Sequence, residues 1–420
     1  MHPDKHPYLQ AATNIAFKIC RDAIWADDRC NWITSHVEDI GGYPKTYFRS
    51  LDASVYSGTA GVAYFLSALH SANPDPLLKA TCYGAIRQAL SQAHQHEPAT
   101  SLSFFSGKLG IAYSSIKAGE HHKDQQLINE GVVLLKECLT VPLEQCGLDV
   151  IDGCAGALPV LLSLYETLEF DDIHTCAIKI GDHILAQGHQ EPIGISWNTT
   201  PFKKHNLTGF AHGVAGMTNA LLELYRFTGE EKYKLVAMEG IAYENHYFSE
   251  SEQNWPDFRS FGETAEQNDA PSPCSCAWCH GAPGIGLSRL RAYALTGEEK
   301  LRRDALAAIQ TTLKNNVITP YSNFSLCHGL FGNAELLLEA STILDKPEWK
   351  HAAEHIGVEG IKNYIDLSIP FTNGVNNSYE NPEFMTGTSG MGYFYLRLFD
   401  AVRFPSLLAV CQRDSVEVNV

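Results

Sequence analysis

Long apolar runs are missing from this chain: every hydrophobic stretch is broken by Gly, Ser or His. None reaches the roughly 18 residues a membrane-spanning helix needs, so no integral membrane segment is expected. Basic residues are scarce, with 31 Lys and Arg against 48 Asp and Glu and a formal charge of −17. Nucleic-acid binding requires a basic face, so no nucleic-acid partner is expected. The N-terminus, MHPDKHPYLQ, has no basic segment leading into an apolar one. A signal peptide is therefore not expected, and the location read from the sequence is cytoplasmic. Charged residues make up only 19% and hydrophobic residues 45%, the balance of a packed globular protein. Cysteine, by contrast, is plentiful at twelve. In a cytoplasmic chain these should be reduced, and clusters among them point to metal binding or catalysis.

Internal repetition is the dominant feature. A Gly-x-x-Gly followed by an apolar helical run occurs seven times, with first glycines at Gly58, Gly107, Gly153, Gly213, Gly281, Gly329 and Gly387. The intervals are 49, 46, 60, 68, 48 and 58 residues. Turn sequences recur downstream of the glycines: Thr228-Gly229-Glu230-Glu231-Lys232, Thr296-Gly297-Glu298-Glu299-Lys300, and the Asn73 and Asp345 turns. Each unit reads as glycine loop, helix, turn and second helix. The fold class expected is all-α, a double-layered α/α-toroid of seven helical hairpins. Closure is favoured over an open solenoid because the terminal units are not polar caps. In a closed ring the seven glycine loops converge on one mouth, where glycine permits positive φ and close backbone approach. Residues 1–420 read as a single domain, with residues 1–45 as a helical lead-in.

Polar residues decorate these loops. Two successive units carry Cys-His-Gly, at Cys279-His280-Gly281 and Cys327-His328-Gly329. Two cysteines and one histidine leave the fourth tetrahedral position of zinc open, the pattern of a catalytic rather than a structural site. Cys279, Cys327 and His328 form that set, although spacing alone does not separate His328 from His280. A local knuckle of Cys274, Cys276 and Cys279 lacks the second Cys pair a closed site needs. Cys20, Cys82, Cys138, Cys146, Cys154, Cys176 and Cys411 lie in apolar contexts and read as core packing. His212 occupies the equivalent loop of the fourth unit, and Asp149 precedes the third. Alone they would read as a structural histidine and a helix cap; at a shared mouth they become catalytic candidates.

The stretches WCHGAPGIGLSRL, SLCHGLFGN, GFAHGVAG, LDVIDG and MTGTSGMGYFYLRL resemble the lanthionine synthetase C-like (LanC-like) family. They are most similar to the cyclase domain of class II lanthipeptide synthetases, and the resemblance covers about residues 50–410. It implies an α/α-toroid with zinc at one end, held by Cys279, Cys327 and His328, with His280 a neighbour. It implies His212 as the catalytic histidine and Asp149 as its acidic companion. The implied reaction is Michael addition of a peptide Cys thiol to dehydroalanine or dehydrobutyrine, giving (methyl)lanthionine thioethers. Asp149 would orient His212 or accept the thiol proton. Some cyclases place an Arg shortly before the Trp-Cys motif, where this chain has Cys274-Ser275-Cys276-Ala277. A dehydratase region is not present in the sequence, so the expected partners are a dehydrated precursor peptide and a separate dehydratase. Alternatives are glutathione addition to dehydroamino acids in proteins and a non-catalytic peptide-binding toroid. A toroidal glycosidase would need paired carboxylates, for which Asp149 and Asp152 are the only loop-start pair.

Overall fold

The computed structural model describes residues 6–39, 41, 43–200, 205–259, 272–319, 321–374 and 379–410, so Cys411 lies outside the described residues. Each glycine loop opens a helix that is buried on nearly every side. These inner helices are α2 (Thr59–Ala72), α4 (Lys108–His122), α6 (Cys154–Leu168), α8 (Val214–Thr228), α10 (Ala282–Thr296), α12 (Leu330–Ile343) and α14 (Thr388–Phe399). Each contacts the next, and α14 contacts α2, so the inner layer is a closed ring. At that seam the Tyr64 and Tyr393 hydroxyls lie 3.1 Å apart. Buried ion pairs tie other neighbours: Arg397 on α14 holds Glu335 on α12 at 2.9 Å, and Arg291 on α10 pairs with Glu223 on α8.

The outer layer comprises α3 (Pro76–Gln92), α5 (Gln125–Cys138), α7 (Asp171–Ala186), α9 (Glu231–His246), α11 (Glu299–Asn315) and α13 (Pro347–Gly360). The expected turns reverse the chain. Gly229 and Gly297 end α8 and α10 at φ of 71° and 70°, the left-handed conformation glycine adopts without strain. Asp75 and Asp124 cap α3 and α5 by accepting from backbone N–H groups two and three residues on.

Two expectations need correction. Among the described residues six hairpins are continuous in sequence; the seventh pair is α14 with α1 (Pro7–Arg21), far apart along the chain. Among its described residues the lead-in is also helical only over α1. It continues as strands β1 (Ile24–Ala26), β2 (Arg29–Asn31), β3 (Ile33–Asp39) and β4 (Pro44–Ser50), paired as two antiparallel hairpins. Ile24, Trp25, Ile33, Thr34, Val37, Thr46, Tyr47 and Phe48 give these segments the β-branched and aromatic content that favours strands. A third small hairpin pairs β5 (His189–Gln190) with β6 (Ile195–Ser196). No described helix is long and apolar enough to cross a membrane.

The glycine loops themselves interlock. In six of the seven the first glycine is extended, with φ between −120° and −156°; only Gly281, at φ 93°, is left-handed. Close approach, rather than positive φ, is the general reason for glycine. A Cβ on the second glycine of any unit would overlap the carbonyl oxygen six residues earlier: Val55 for Gly61, Phe104 for Gly110, Val150 for Gly156, Phe210 for Gly216, Trp278 for Gly284, Leu326 for Gly332 and Phe384 for Gly390.

With the loops so tight, the residue two before the first glycine reaches its counterpart in the next unit at five of the seven junctions, and a neighbouring residue does so at the other two. Cys279 N–H donates to the Cys327 carbonyl (3.3 Å), Cys327 to Met385 (2.9 Å), Met385 to Tyr56 (3.0 Å) and Tyr56 to Phe105 (2.8 Å). The Ser106 hydroxyl then donates to the Ile151 carbonyl at 3.1 Å. Val150 donates to Ala211 (3.0 Å), and Ala211 back to Cys279 (3.2 Å), completing the circuit. Gly332→Ala should lose on the order of 1–3 kcal/mol of stability, because its Cβ must displace backbone rather than a side chain. Denaturant unfolding that matches the parent within error would refute this.

Candidate metal and catalytic site

The circuit sets Cys279 and Cys327 side by side, one from the fifth loop and one from the sixth. Their Sγ atoms and one imidazole nitrogen of His328 all lie within 4.8 Å of one another. Cys327 is buried, Cys279 half-buried and His328 exposed. The contact between the two thiols, with burial adding to it, holds Cys279 well above the ordinary thiol range; the same contact draws Cys327 below it against the opposing effect of burial. His328 Nε2 donates to the Gly374 carbonyl at 2.5 Å, leaving the lone pair on Nδ1. Tying the second ring nitrogen to a carbonyl is how proteins orient a metal-ligating histidine. Gly374 suits this place, since a Cβ there would sit 2.5 Å from His328 Nε2. Two thiols and one oriented imidazole, open on the exposed side, fit zinc.

A second group faces the first across the mouth. His212 Nδ1 is 2.6 Å from Asp149 Oδ2, while Asp149 Oδ1 accepts the Asp152 N–H, also at 2.6 Å. Asp149 is buried, and the His212 side chain is 30% exposed. Burial disfavours a charged His212. The Asp149 hydrogen bond and charge, followed by Asp152 and Cys279, outweigh it and raise the imidazole above its ordinary value. With Nδ1–H bound to the carboxylate, Nε2 is the nitrogen left for chemistry.

The remaining candidates separate clearly. His280 is buried, stacks on His212 with ring centres 5.9 Å apart, and lies 3.8 Å from Asp257. It does not join the cysteine cluster, which removes the ambiguity its spacing created. The two Cys-His-Gly loops differ at the glycine, left-handed at Gly281 and extended at Gly329 (φ −121°). Among the described residues, Cys274 and Cys276 belong to no metal-capable group. Cys20, Cys82, Cys138, Cys154 and Cys176 are core residues as expected, whereas Cys146 is partly exposed.

Sequence reasoning missed three groups. The Tyr56 hydroxyl donates to Cys327 Sγ at 3.0 Å. Its position, two before a first glycine like both cysteines, was the available signal. Arg259 bears its charge on both sulfurs and lowers them. It is held by buried Asp257 at 2.7 Å, and Asp257 also accepts from Ser275. The only hint of these two was the interval of 68 residues that contains them, the longest of the set.

Comparison with known proteins agrees with this geometry. Residues 49–409 match the family model for lanthionine synthetase C-like proteins. The lacticin 481/lactococcin biosynthesis protein LcnDR2 of Lactococcus lactis subsp. lactis is 25% identical over 89% of this chain. That alignment spans only 38% of the relative's length. Glutathione S-transferase LANCL1 of Danio rerio is 22% identical over 72% of this chain and 73% of its own. Among solved structures, nisin cyclase superposes with a TM-score of 0.67 at 18% identity, over 86% of this chain and 92% of that one. Asp149→Asn should lower the His212 pKa, since the lost hydrogen bond and charge are what raise it; NMR titration of the imidazole gives the direct reading, and an unchanged or higher value would contradict it. A ring of seven glycine loops, two facing Cys-His-Gly turns and a family model matched from residue 49 to 409 make this chain a member of the lanthionine synthetase C-like family.

Proposed function

We propose that the chain is a zinc-dependent lanthipeptide cyclase that adds Cys thiols of a dehydrated precursor peptide to dehydroalanine or dehydrobutyrine. The observation that carries this reading is the pairing, at one mouth, of the Cys279/Cys327/His328 cluster with a carboxylate-held His212. Cys279, Cys327 and His328 would hold the metal, His328 through the nitrogen that Gly374 leaves available. Zinc bound there supplies Lewis acidity that favours deprotonation of a thiol at neutral pH, where a free thiol near pKa 8.5 is mostly protonated. The reaction forms one S–Cβ bond, breaks the Cα=Cβ π bond and needs one proton at Cα. His212 Nε2 delivers that proton; the Asp149 carboxylate shifts its balance toward the imidazolium form the step requires.

Asp149 is a positioning residue in this scheme. Both its oxygens are already engaged, one by His212 and one by the Asp152 N–H, which favours orientation over thiol deprotonation. Tyr56 and Arg259 stabilise negative charge on the sulfurs. The peptide arrives already dehydrated, from a separate dehydratase. The similarity to glutathione S-transferase LANCL1 favours a second reading, addition of glutathione to dehydroamino acids in proteins. The same site would serve, with an intermolecular thiol.

Incubation with a dehydrated, cysteine-containing peptide separates the two. Cyclisation removes alkylatable thiol at unchanged mass, whereas glutathione addition raises the mass by one glutathione. Cys279→Ser should lose bound zinc on metal analysis. His212→Gln should keep zinc and lose about 10²–10⁴-fold in rate; a variant that cyclises at the parent rate rules out His212 as the acid. The alkaline limb of the kcat/KM profile should move to lower pH in Asp149→Asn, because the required imidazolium is then lost at lower pH.

A further inference from the structure

The third glycine loop carries two thiols that the site does not use. Cys146 precedes it and Cys154 opens α6 behind it. Gly147 and Gly153 are bridged backbone to backbone, and Cys154 N–H donates to the Gly147 carbonyl at 2.9 Å. This pinches the segment's ends together; Cys146 Sγ donates to the Pro142 carbonyl at 3.6 Å, and the Cys146 and Cys154 thiols are close enough to shift one another's protonation. Cys146 is partly exposed and Cys154 fully buried. The contact with Cys154 lowers the Cys146 thiol below its ordinary value against the opposing effect of burial. A reactive thiol at the surface with a resolving thiol behind it is the arrangement of a redox pair.

The enclosed segment, residues 147–153, holds the catalytic acid's support. Asp149 binds His212 and the Asp152 N–H from it, and Val150 donates from it to Ala211. Whatever constrains its ends constrains those three bonds.

We propose that Cys146 and Cys154 form a reversible disulfide under mild oxidation, closing a ring around the Asp149 loop and altering the setting of His212. With hydrogen peroxide as oxidant, the Cys146 thiolate attacks one oxygen, giving a sulfenic acid and, after protonation of the hydroxide released, water. The Cys154 thiol then attacks that sulfur, and the sulfenic hydroxyl leaves as a second water. Two thiols lose two hydrogens and two electrons in total, and one peroxide becomes two waters. A thiol reductant reverses the step by exchange.

The test needs no assumption about the reaction catalysed. The zinc-loaded full chain is treated with one equivalent of hydrogen peroxide, blocked with N-ethylmaleimide and cleaved after Glu residues. Cleavage after Glu144 and Glu166 isolates a peptide whose only cysteines are Cys146 and Cys154. Expected is that peptide two hydrogens lighter and unlabelled, with both labels restored by dithiothreitol. Cys146→Ser should leave Cys154 labelled, and Cys176→Ser should not prevent the bond. NMR of His212 should show its imidazole resonance shifted on oxidation of the parent but not of Cys146→Ser. Two labelled cysteines after peroxide, or Cys146 carried to a sulfinic acid with Cys154 still labelled, would overturn the pairing. A disulfide with no His212 shift would overturn the link to the loop.

Discussion

The hydrogen-bond circuit at the mouth is the constraint on which the rest of the molecule depends. Six main-chain N–H groups and one serine hydroxyl pass from each glycine loop to the next until the last meets the first. Such a circuit forms only if every loop lies flat against its neighbour, and the glycine pairs provide that proximity. A single loop would leave one donor and one acceptor unpaired, a penalty that closure of the ring removes. The inner helices then have no freedom to splay, since their N-termini are held at fixed separations. Their nearly complete burial follows, because each is covered by two inner neighbours and an outer helix.

On this sevenfold frame, chemistry comes from changing side chains at two positions. Two residues before the first glycine stand Tyr56, Phe105, Ile151, Ala211, Cys279, Cys327 and Met385; one residue before stand Ser57, Ser106, Asp152, His212, His280, His328 and Thr386. Apolar residues at the first position fill the annulus, and the two sulfurs that replace them face each other because their backbones are hydrogen-bonded. His212 and Asp149 reach one another across a similar junction, from the fourth and third loops. The supports are second-tier contacts: Gly374 behind His328, Tyr56 behind Cys327, Asp257 behind Arg259. These orient groups whose identity alone does not aim them.

Much of this was legible in the sequence. Glycine spacing marked every inner helix, and Thr-Gly-Glu-Glu-Lys marked the turns after α8 and α10, because such signals act within a few residues. Cys279, Cys327, His212 and Asp149 could be picked out because the repeat registered them at one place, and His328 because the family resemblance favoured it over His280. Other features were not legible. Pairing of α1 with α14 joins residues nearly a full chain length apart, which no local pattern encodes. Arg259 and Asp257 sit in the long fourth interval, without a repeat partner to register them. The strands of the lead-in were not legible because their apolar residues follow no clean alternation and their partners are each other rather than a repeat unit.

The sequence by itself determined the number of units, the order of their loops and the residue types each loop presents. These follow from short-range rules of turn chemistry and helical periodicity. Spacing left two equivalent histidines and resemblance favoured His328, but only the tertiary structure supplied the physical reason. His328 turns to them with its far nitrogen held by Gly374, while His280, behind a left-handed glycine, is buried against Asp257. In one dimension the two Cys-His-Gly motifs are interchangeable. They become different only when the ring closes and each meets different neighbours.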